Sequence, residues 1–218
     1  MNELEFIRRQ VSTERSHMAA VRGACAAALA GSPGERPDVD FLLACARYLA
    51  FIVRRFNAQD QAHCDLLRPR LPAGAARDRA TLDDLEQTLA ASRTAIDALT
   101  DALRVREAAG ADTDADDAAF VAALRAYLSF YSNVLASRRH ALHHLFDAYY
   151  DVADWRAASA VDADSILEER RLHAQVAERL PEGVALAALA SDAPPLASPA
   201  PSSSANCPQA ATQPPPAA

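Results

Sequence analysis

The sequence predicts an all-α protein with four long helices, a shorter fifth helix and a C-terminal tail. Half of the 218 residues are apolar, whereas only 6% are aromatic and glycine occurs six times. The apolar residues are mostly Ala, Leu and Val. This composition favours helices, because sandwiches and barrels need β-branched residues and glycine-rich turns. Apolar residues also recur at the three- and four-residue spacing of a helix face along most of the chain.

The first predicted helix covers about residues 3–30, and a Ser-Pro-Gly break follows it. The second covers about residues 38–68. Asp38 or Asp40 can cap its start, and prolines and a glycine beyond residue 68 end it. One face of this second helix carries Phe41, Leu42, Cys45, Leu49, Ile52, Phe56, Gln59, His63 and Leu67.

The third predicted helix covers about residues 81–108, with Thr81 as its cap and acidic residues in its first turn. The fourth covers about 116–150 and the fifth about 163–180. Four long helices joined by short breaks fit an up-down-up-down four-helix bundle. The apolar stripe of the third helix is Leu82, Leu85, Leu89, Ile96, Leu99 and Leu103.

The domain organisation follows from these helices. Residues 1–160 are predicted to form the bundle, and residues 161–183 a C-terminal helix. Residues 184–218 are rich in Pro, Ala and Ser and carry almost no charge, so we predict a disordered tail.

The charge and cysteine content narrow the possible partners and compartments. The net charge is -7, so we expect no basic surface that would bind nucleic acid. Every basic residue is arginine, which excludes reactions that need a lysine side chain. The sequence has no run of about 18 apolar residues, so no membrane-spanning helix is predicted. The first residues lack the apolar core of a signal peptide, and no cysteine pair has CxxC spacing. These features predict a cytoplasmic protein.

Polar residues on inward helix faces are the candidates for a functional site, because helix bundles build their sites in the interior. The predicted polar centre contains Glu14, Arg15, Gln59, His63 and Arg138. A buried guanidinium is costly unless it is paired, so Glu14 is the expected partner of Arg15 or Arg138. Alternatively, the arginine stems pack inward and their heads extend to solvent.

A relocated metal site is a second hypothesis. His140 and His144 are one helical turn apart, which is a workable spacing for two imidazole ligands, and Asp147 follows. His63 lies on the inward face of the second helix. The alternative is structural, with His140 and His144 at a solvated rim and His63 satisfied by a neighbour in the core.

Three segments resemble the hemerythrin-like (HHE cation-binding) family over about residues 1–160. In that family a helix reads Phe-Tyr, a His-x-x-x-Glu ligand pair and an apolar run, with Asp-Trp just past the helix end; here Phe130-Tyr131 and Asp154-Trp155 stand at matching separation. Residues 67–71 stand in place of the family's Leu-Phe-Pro-x-Leu, and residues 13–18 are similar to its Glu-His-x-x-Met opening. The resemblance implies a four-helix bundle around two metal ions.

The chain departs from the family at the metal ligands. Of the six positions only His63 is a good ligand, and two are cationic, so the resemblance implies a bundle that has lost its two-iron site. The six positions are Arg15, Gln59, His63, the neighbourhood of Leu89, Val134 and Arg138.

We therefore predict a non-enzymatic binding or regulatory module without a cofactor, whose partner is a small ligand such as an anion, or a protein. One alternative is a non-heme iron protein that senses oxygen or redox state, or stores metal, through His63, His140, His144 and acidic neighbours such as Asp147. Another is a structural partner that uses the aromatic residues of the fourth helix or the Pro-rich tail.

Overall fold

The structure is a computed structural model, and all regular secondary structure in the residues that it describes is helical. These are residues 3–31, 36–109, 114–135, 143–159 and 162–186. The prediction of an all-α protein is confirmed for these ranges, which contain no strand. The helices are α1 (Glu3–Ala30), α2 (Val39–Leu67), α3 (Ala76–Ala108), α4 (Asp114–Phe130), α5 (His143–Tyr149), α6 (Val152–Ala158) and α7 (Ala163–Glu178).

Helix α2 lies at the centre and contacts α1, α3, α4, α6 and α7. Residues 41–46 are all buried, as expected of a helix that other elements cover on several sides. Asp38 caps α2 as predicted, by accepting a 3.0 Å hydrogen bond from the backbone N–H of Phe41. After Leu67 the chain makes a single 3₁₀ turn, Arg68–Arg70, because Pro69 cannot continue the helix.

Side-chain pairs show that successive long helices run antiparallel. Along α2 the partners on α3 descend in residue number, and the same holds between α1 and α2 and between α1 and α4. The pairs are Arg47–Glu107, Arg54–Asp97, Asn57–Ser92 and Arg68–Asp83 for α2 and α3, Glu14–Arg55 and Cys25–Cys45 for α1 and α2, and Arg22–Tyr131 and Leu29–Arg125 for α1 and α4.

The buried side chains form two clusters. The larger lies among α1, α2, α3, α4 and α7, and Leu172 and Val176 are the contribution of α7. Val184 and Leu186, at the start of the predicted tail, also pack against it. The smaller lies between the end of α2, the start of α3 and α5, where Leu145 is buried. All six residues of the predicted α3 stripe are buried, which confirms that stripe.

The start of α3 differs from the prediction. The helix begins at Ala76 rather than near Thr81, and the Thr81 hydroxyl donates to the carbonyl of Arg77 within the helix. Ala75 precedes the helix and offers no side-chain cap. Instead, the Arg79 guanidinium donates to the carbonyl oxygens of the preceding loop, including that of Ala73 at 2.7 Å. The long side chain of Arg79 therefore holds the loop before α3 against the first turn of that helix.

The predicted fourth helix, about residues 116–150, contains a π-helical turn. Helix α4 ends at Phe130, the π-helical turn covers Tyr131–Leu135, and α5 covers His143–Tyr149. A π turn shifts the helical phase by about one residue, so the face of α4 does not continue unchanged through this turn. Residues 136–142, which include the predicted site residues Arg138 and His140, lie outside the described residues.

Helix α6 begins within the segment that the resemblance places beyond a helix end. Asp151 and Asp154 form a reciprocal capping box at its start, each carboxylate accepting from the other's backbone N–H at 3.0 and 2.9 Å. Asp154 is buried and also binds the guanidinium of Arg70 with both carboxylate oxygens. The Asp-Trp pair of the resemblance thus initiates a short helix that Arg70 ties to the end of α2.

Candidate functional site

A buried ion pair joins α1 to α2. Glu14 is completely buried, and its carboxylate binds the guanidinium of Arg55. The Gln10 side-chain amide also donates to this carboxylate at 2.7 Å. A carboxylate removed from water needs such partners, since an unpaired buried charge is strongly destabilising. The predicted role of Glu14 as the partner of an arginine therefore has a geometric basis, but the arginine that binds it is Arg55 rather than Arg15, and Arg138 lies outside the described residues.

A second charged pair lies beside the first. Arg15 is 3.8 Å from the Asp60 carboxylate. The guanidinium groups of Arg15 and Arg55 lie 5.5 and 5.6 Å from the centre of the Phe56 ring. An aromatic ring carries negative charge on its faces, so Phe56 stabilises both cations. We call Glu14, Arg15, Arg55 and Asp60 the charged layer.

The charged layer does not fit a two-metal centre. Two metal ions need several carboxylate and imidazole ligands whose lone pairs are not already engaged. Here the Glu14 carboxylate is engaged by Arg55, and Arg15 stands near Asp60. Two guanidinium groups would also repel a divalent cation. The layer is thus an internally neutralised set of charges.

A second polar cluster lies where α7 crosses α1 and α2. Glu169 is 1% exposed, and its carboxylate accepts hydrogen bonds of 2.9 Å from the Tyr48 hydroxyl and from His17 Nδ1. The His17 ring stacks on the His173 ring with centroids 4.1 Å apart, and the Tyr48 ring meets His173 edge-on. We call His17, Tyr48, Glu169 and His173 the α7 cluster.

The surroundings of the α7 cluster shift the pKa values of its members. Burial alone would raise the pKa of Glu169, but the bonds from His17 and Tyr48 and the nearby imidazoles lower it overall. Burial and the charge of His17 lower the pKa of His173. Burial and the negative charge of Glu169 raise the pKa of Tyr48. The cluster therefore favours an ionised Glu169, a neutral His173 and a protonated Tyr48.

His63 is enclosed by aromatic rings. The rings of Phe146, Tyr150 and Trp155 lie 4.9, 5.6 and 5.7 Å from its ring. The Tyr150 hydroxyl donates to the His63 carbonyl oxygen at 3.2 Å and lies 3.0 Å from Nδ1. We assign the imidazole proton to Nδ1, because the Tyr150 oxygen is then left as its acceptor. Burial lowers the pKa of His63 to about 4, so its imidazole is neutral near neutrality.

The remaining predicted site residues have separate surroundings. The Gln59 side chain is half-exposed, whereas Asp60 beside it is buried. His144 is exposed and lies 3.3 Å from Asp78 of α3. The side chain of Asp147 is outside the described residues, as are Arg138 and His140. Of the predicted centre, Arg15 and His63 lie near Asp60, whereas Glu14 is paired with Arg55.

The sequence prediction missed Arg55 and the α7 cluster. One signal was available for the cluster: Glu169 and His173 are four residues apart in a helix and thus lie on one face. No sequence signal was available for Arg55, because it lies beside the inward face of α2 and reaches Glu14 only through its long side chain.

A groove of about 690 Å³ runs along α2, α3 and α7. Its apolar lining is Ala50, Phe51, Leu103 and Leu172, and its charged lining is Arg47, Arg54, Arg55, Arg171, Glu107 and Glu168. Arg55 belongs to both the groove and the charged layer.

The described residues contain neither a cluster of metal ligands nor a membrane-spanning helix. No group of three or more His, Cys, Asp or Glu side chains in these ranges could hold a metal ion. Within the same ranges, no helix has the length and apolar content needed to cross a membrane. No protein-family model, curated protein or solved structure matches the chain.

Proposed function

We propose that the chain is a non-enzymatic binding or regulatory module built on a hemerythrin-like four-helix bundle of α1 to α4, in which the charged layer takes the place of the metal ions. The observation that carries the proposal is the pairing of the fully buried Glu14 with Arg55. An arginine here supplies the positive charge that a metal ion would supply to an interior carboxylate.

The helix contacts support the bundle. Helices α1 and α2, α2 and α3, α3 and α4, and α4 and α1 are in contact, and their side-chain pairs run antiparallel. This closed order is that of an up-down-up-down bundle. Helix α7 packs outside it against α1 and α2, and extends the polar interior with Glu169.

The surroundings of His63 support the loss of metal. This is the one family ligand position that retains a good ligand, and aromatic rings surround it, with Tyr150 at its Nδ1. A metal site at His63 needs further carboxylates or imidazoles, and the nearby Asp60 is paired with Arg15.

The test is the metal content of untagged protein purified from iron-supplemented cells, measured by mass spectrometry together with an optical spectrum. We expect less than about a tenth of an equivalent of iron and a melting temperature that chelator does not change. The variants are His63→Ala and His144→Ala, the two described histidines of the alternative metal site, with Arg93→Ala as an exposed control. Near-stoichiometric iron in the parent protein would overturn the proposal, and its loss in either histidine variant but not in Arg93→Ala would identify the ligands.

A further inference from the structure

The groove along α2, α3 and α7 combines a rim of arginines with an apolar floor. Four arginines and two glutamates line it. Each arginine is paired with a carboxylate, and the pairs are Arg47–Glu107, Arg54–Asp97, Arg55–Glu14 and Arg171–Glu168. The groove therefore offers an anion the guanidinium N–H groups that these pairs do not use, rather than a net positive charge.

The arginines of the rim are held by carboxylates that leave part of each guanidinium available. Arg54 bonds Asp97 through one nitrogen at 2.7 Å, and its side chain is 48% exposed. Arg171 bonds Glu168 and is 53% exposed. A guanidinium has five N–H donors in a planar fork, so one carboxylate does not exhaust it.

Arg55 lines the groove and also belongs to the charged layer. Glu14 engages its Nη2, whereas its buried Nη1 has no hydrogen-bond partner among the described residues. A buried donor without an acceptor is destabilising, and an anionic oxygen is the acceptor that would satisfy it best.

The floor beneath these arginines is apolar. Phe51 is partly buried, and Ala50, Leu103 and Leu172 are buried beside it. This surface suits a hydrocarbon or aromatic body rather than a bare inorganic ion.

We infer that the groove between α2, α3 and α7 binds an organic anion, with its acidic head on Arg54, Arg55 and Arg171 and its apolar body over Phe51 and Leu103. This inference deepens the proposed binding role by naming its site and the chemical class of its ligand. The head is a carboxylate or a phosphate, since both accept paired hydrogen bonds from guanidinium.

The first test compares two fluorescent probes of similar shape, anilinonaphthalene sulfonate and the uncharged phenylnaphthylamine. We expect the sulfonate to bind about tenfold more tightly, and Arg54→Ala and Arg171→Ala each to weaken it about tenfold. Both variants remove exposed ion pairs, so folding should be unaffected, which circular dichroism and melting temperature check. The control is Arg93→Ala, an exposed arginine that does not line the groove.

The second test identifies the head group by displacing the bound sulfonate with dodecanoate or dodecyl phosphate. Displacement by either supports the inference, and the stronger competitor names the head. Equal binding of the two probes, unchanged binding in both variants, or no displacement by either amphiphile would overturn it. Iron found at stoichiometry with sulfonate binding intact would reject the proposed loss of metal alone, whereas iron-free protein without probe binding would reject the groove alone.

Discussion

The imidazole of His17 in α1 lies flat against that of His173 in α7, with ring centroids 4.1 Å apart and ring planes inclined by 20°. Of the two rings, that of His17 is hydrogen-bonded to the Glu169 carboxylate, through Nδ1 at 2.9 Å. A stacked pair of this kind disfavours two positive charges at once, and the charge of His17 is one cause of the lowered pKa of His173. Helices α1 and α7 are thus joined through a buried carboxylate that is hydrogen-bonded to one of two stacked imidazoles.

Replacing Glu169 by alanine should destabilise the fold, because it leaves the His17 and Tyr48 donors without their buried acceptor. We expect a loss of about 2–4 kcal/mol in the free energy of unfolding, measured with urea. The matched control is Glu168→Ala next to it, whose carboxylate makes a partly exposed pair with Arg171 and should change stability by less than about 0.5 kcal/mol. Equal losses in the two variants would contradict the role assigned to Glu169.

Acid should destabilise the protein through His63. Its pKa is about 4 in the folded state and 6.5 otherwise, so the unfolded chain binds the proton more readily. The neutral imidazole therefore contributes its full stability above pH 6.5 and loses it as the pH falls towards about 4. The free energy of unfolding should fall by about 3 kcal/mol over this range, because the pKa of His63 differs between the folded and unfolded states. The measurement is urea unfolding across this range in the parent and in His63→Phe.

The single tryptophan offers a local readout of the same titration. Trp155 lies 5.7 Å from His63, and the chain has no other tryptophan. We expect Trp155 fluorescence to change with a midpoint near pH 4, and His63→Phe to abolish that change, whereas His144→Ala keeps it. A midpoint near 6.5, the ordinary value for histidine, would show that His63 is solvated.

The Glu14–Arg55 pair should show strong coupling in a double-mutant cycle. Glu14→Leu or Arg55→Met alone strands a buried charge, and we expect each to lose about 3–5 kcal/mol of unfolding free energy. The double variant should lose less than either single variant, because it strands neither charge. Additive losses in chemical denaturation would mean that the two side chains do not interact.

The buried cysteines should resist alkylation. Cys25, Cys45 and Cys64 are fully buried, a hydrogen bond with Cys25 and burial raise the pKa of Cys45, and burial raises that of Cys64 to about 12. Because the thiolate is the reactive form, iodoacetamide should label these residues only as the chain unfolds. The experiment uses Cys207→Ser protein, with and without denaturant. Rapid labelling of the native protein at Cys45 would contradict this burial.

The sequence was most informative where helical periodicity determines burial. The inward faces of α2 and α3 follow directly from apolar spacing, since the helix fixes the direction of each Cα–Cβ bond. Periodicity did not reveal the π turn after Phe130, because a π turn is a backbone feature that leaves the composition unchanged. It also placed Gln59 inward, where the structure buries its neighbour Asp60.

The site was less predictable than the fold for a physical reason. Glu14 could be recognised as an inward carboxylate, but its partner Arg55 reaches it with a flexible side chain from the flank of α2. Glu169 and His173 belong to a helix far along the chain, and no local pattern states which helices it will cross. Contacts of this kind depend on tertiary packing.

The distance along the chain between His17 and Glu169, 152 residues, has a consequence for biosynthesis. Glu14 and Arg55 are 41 residues apart, so they can meet once the first two helices have left the ribosome. The hydrogen bonds of Tyr48 and His17 to Glu169 can form only after α7 has been synthesised. Until then, the apolar surface of α2 that packs against Leu172 and Val176 lacks this cover. A nascent chain halted before residue 163 would therefore expose this apolar surface until α7 has been synthesised.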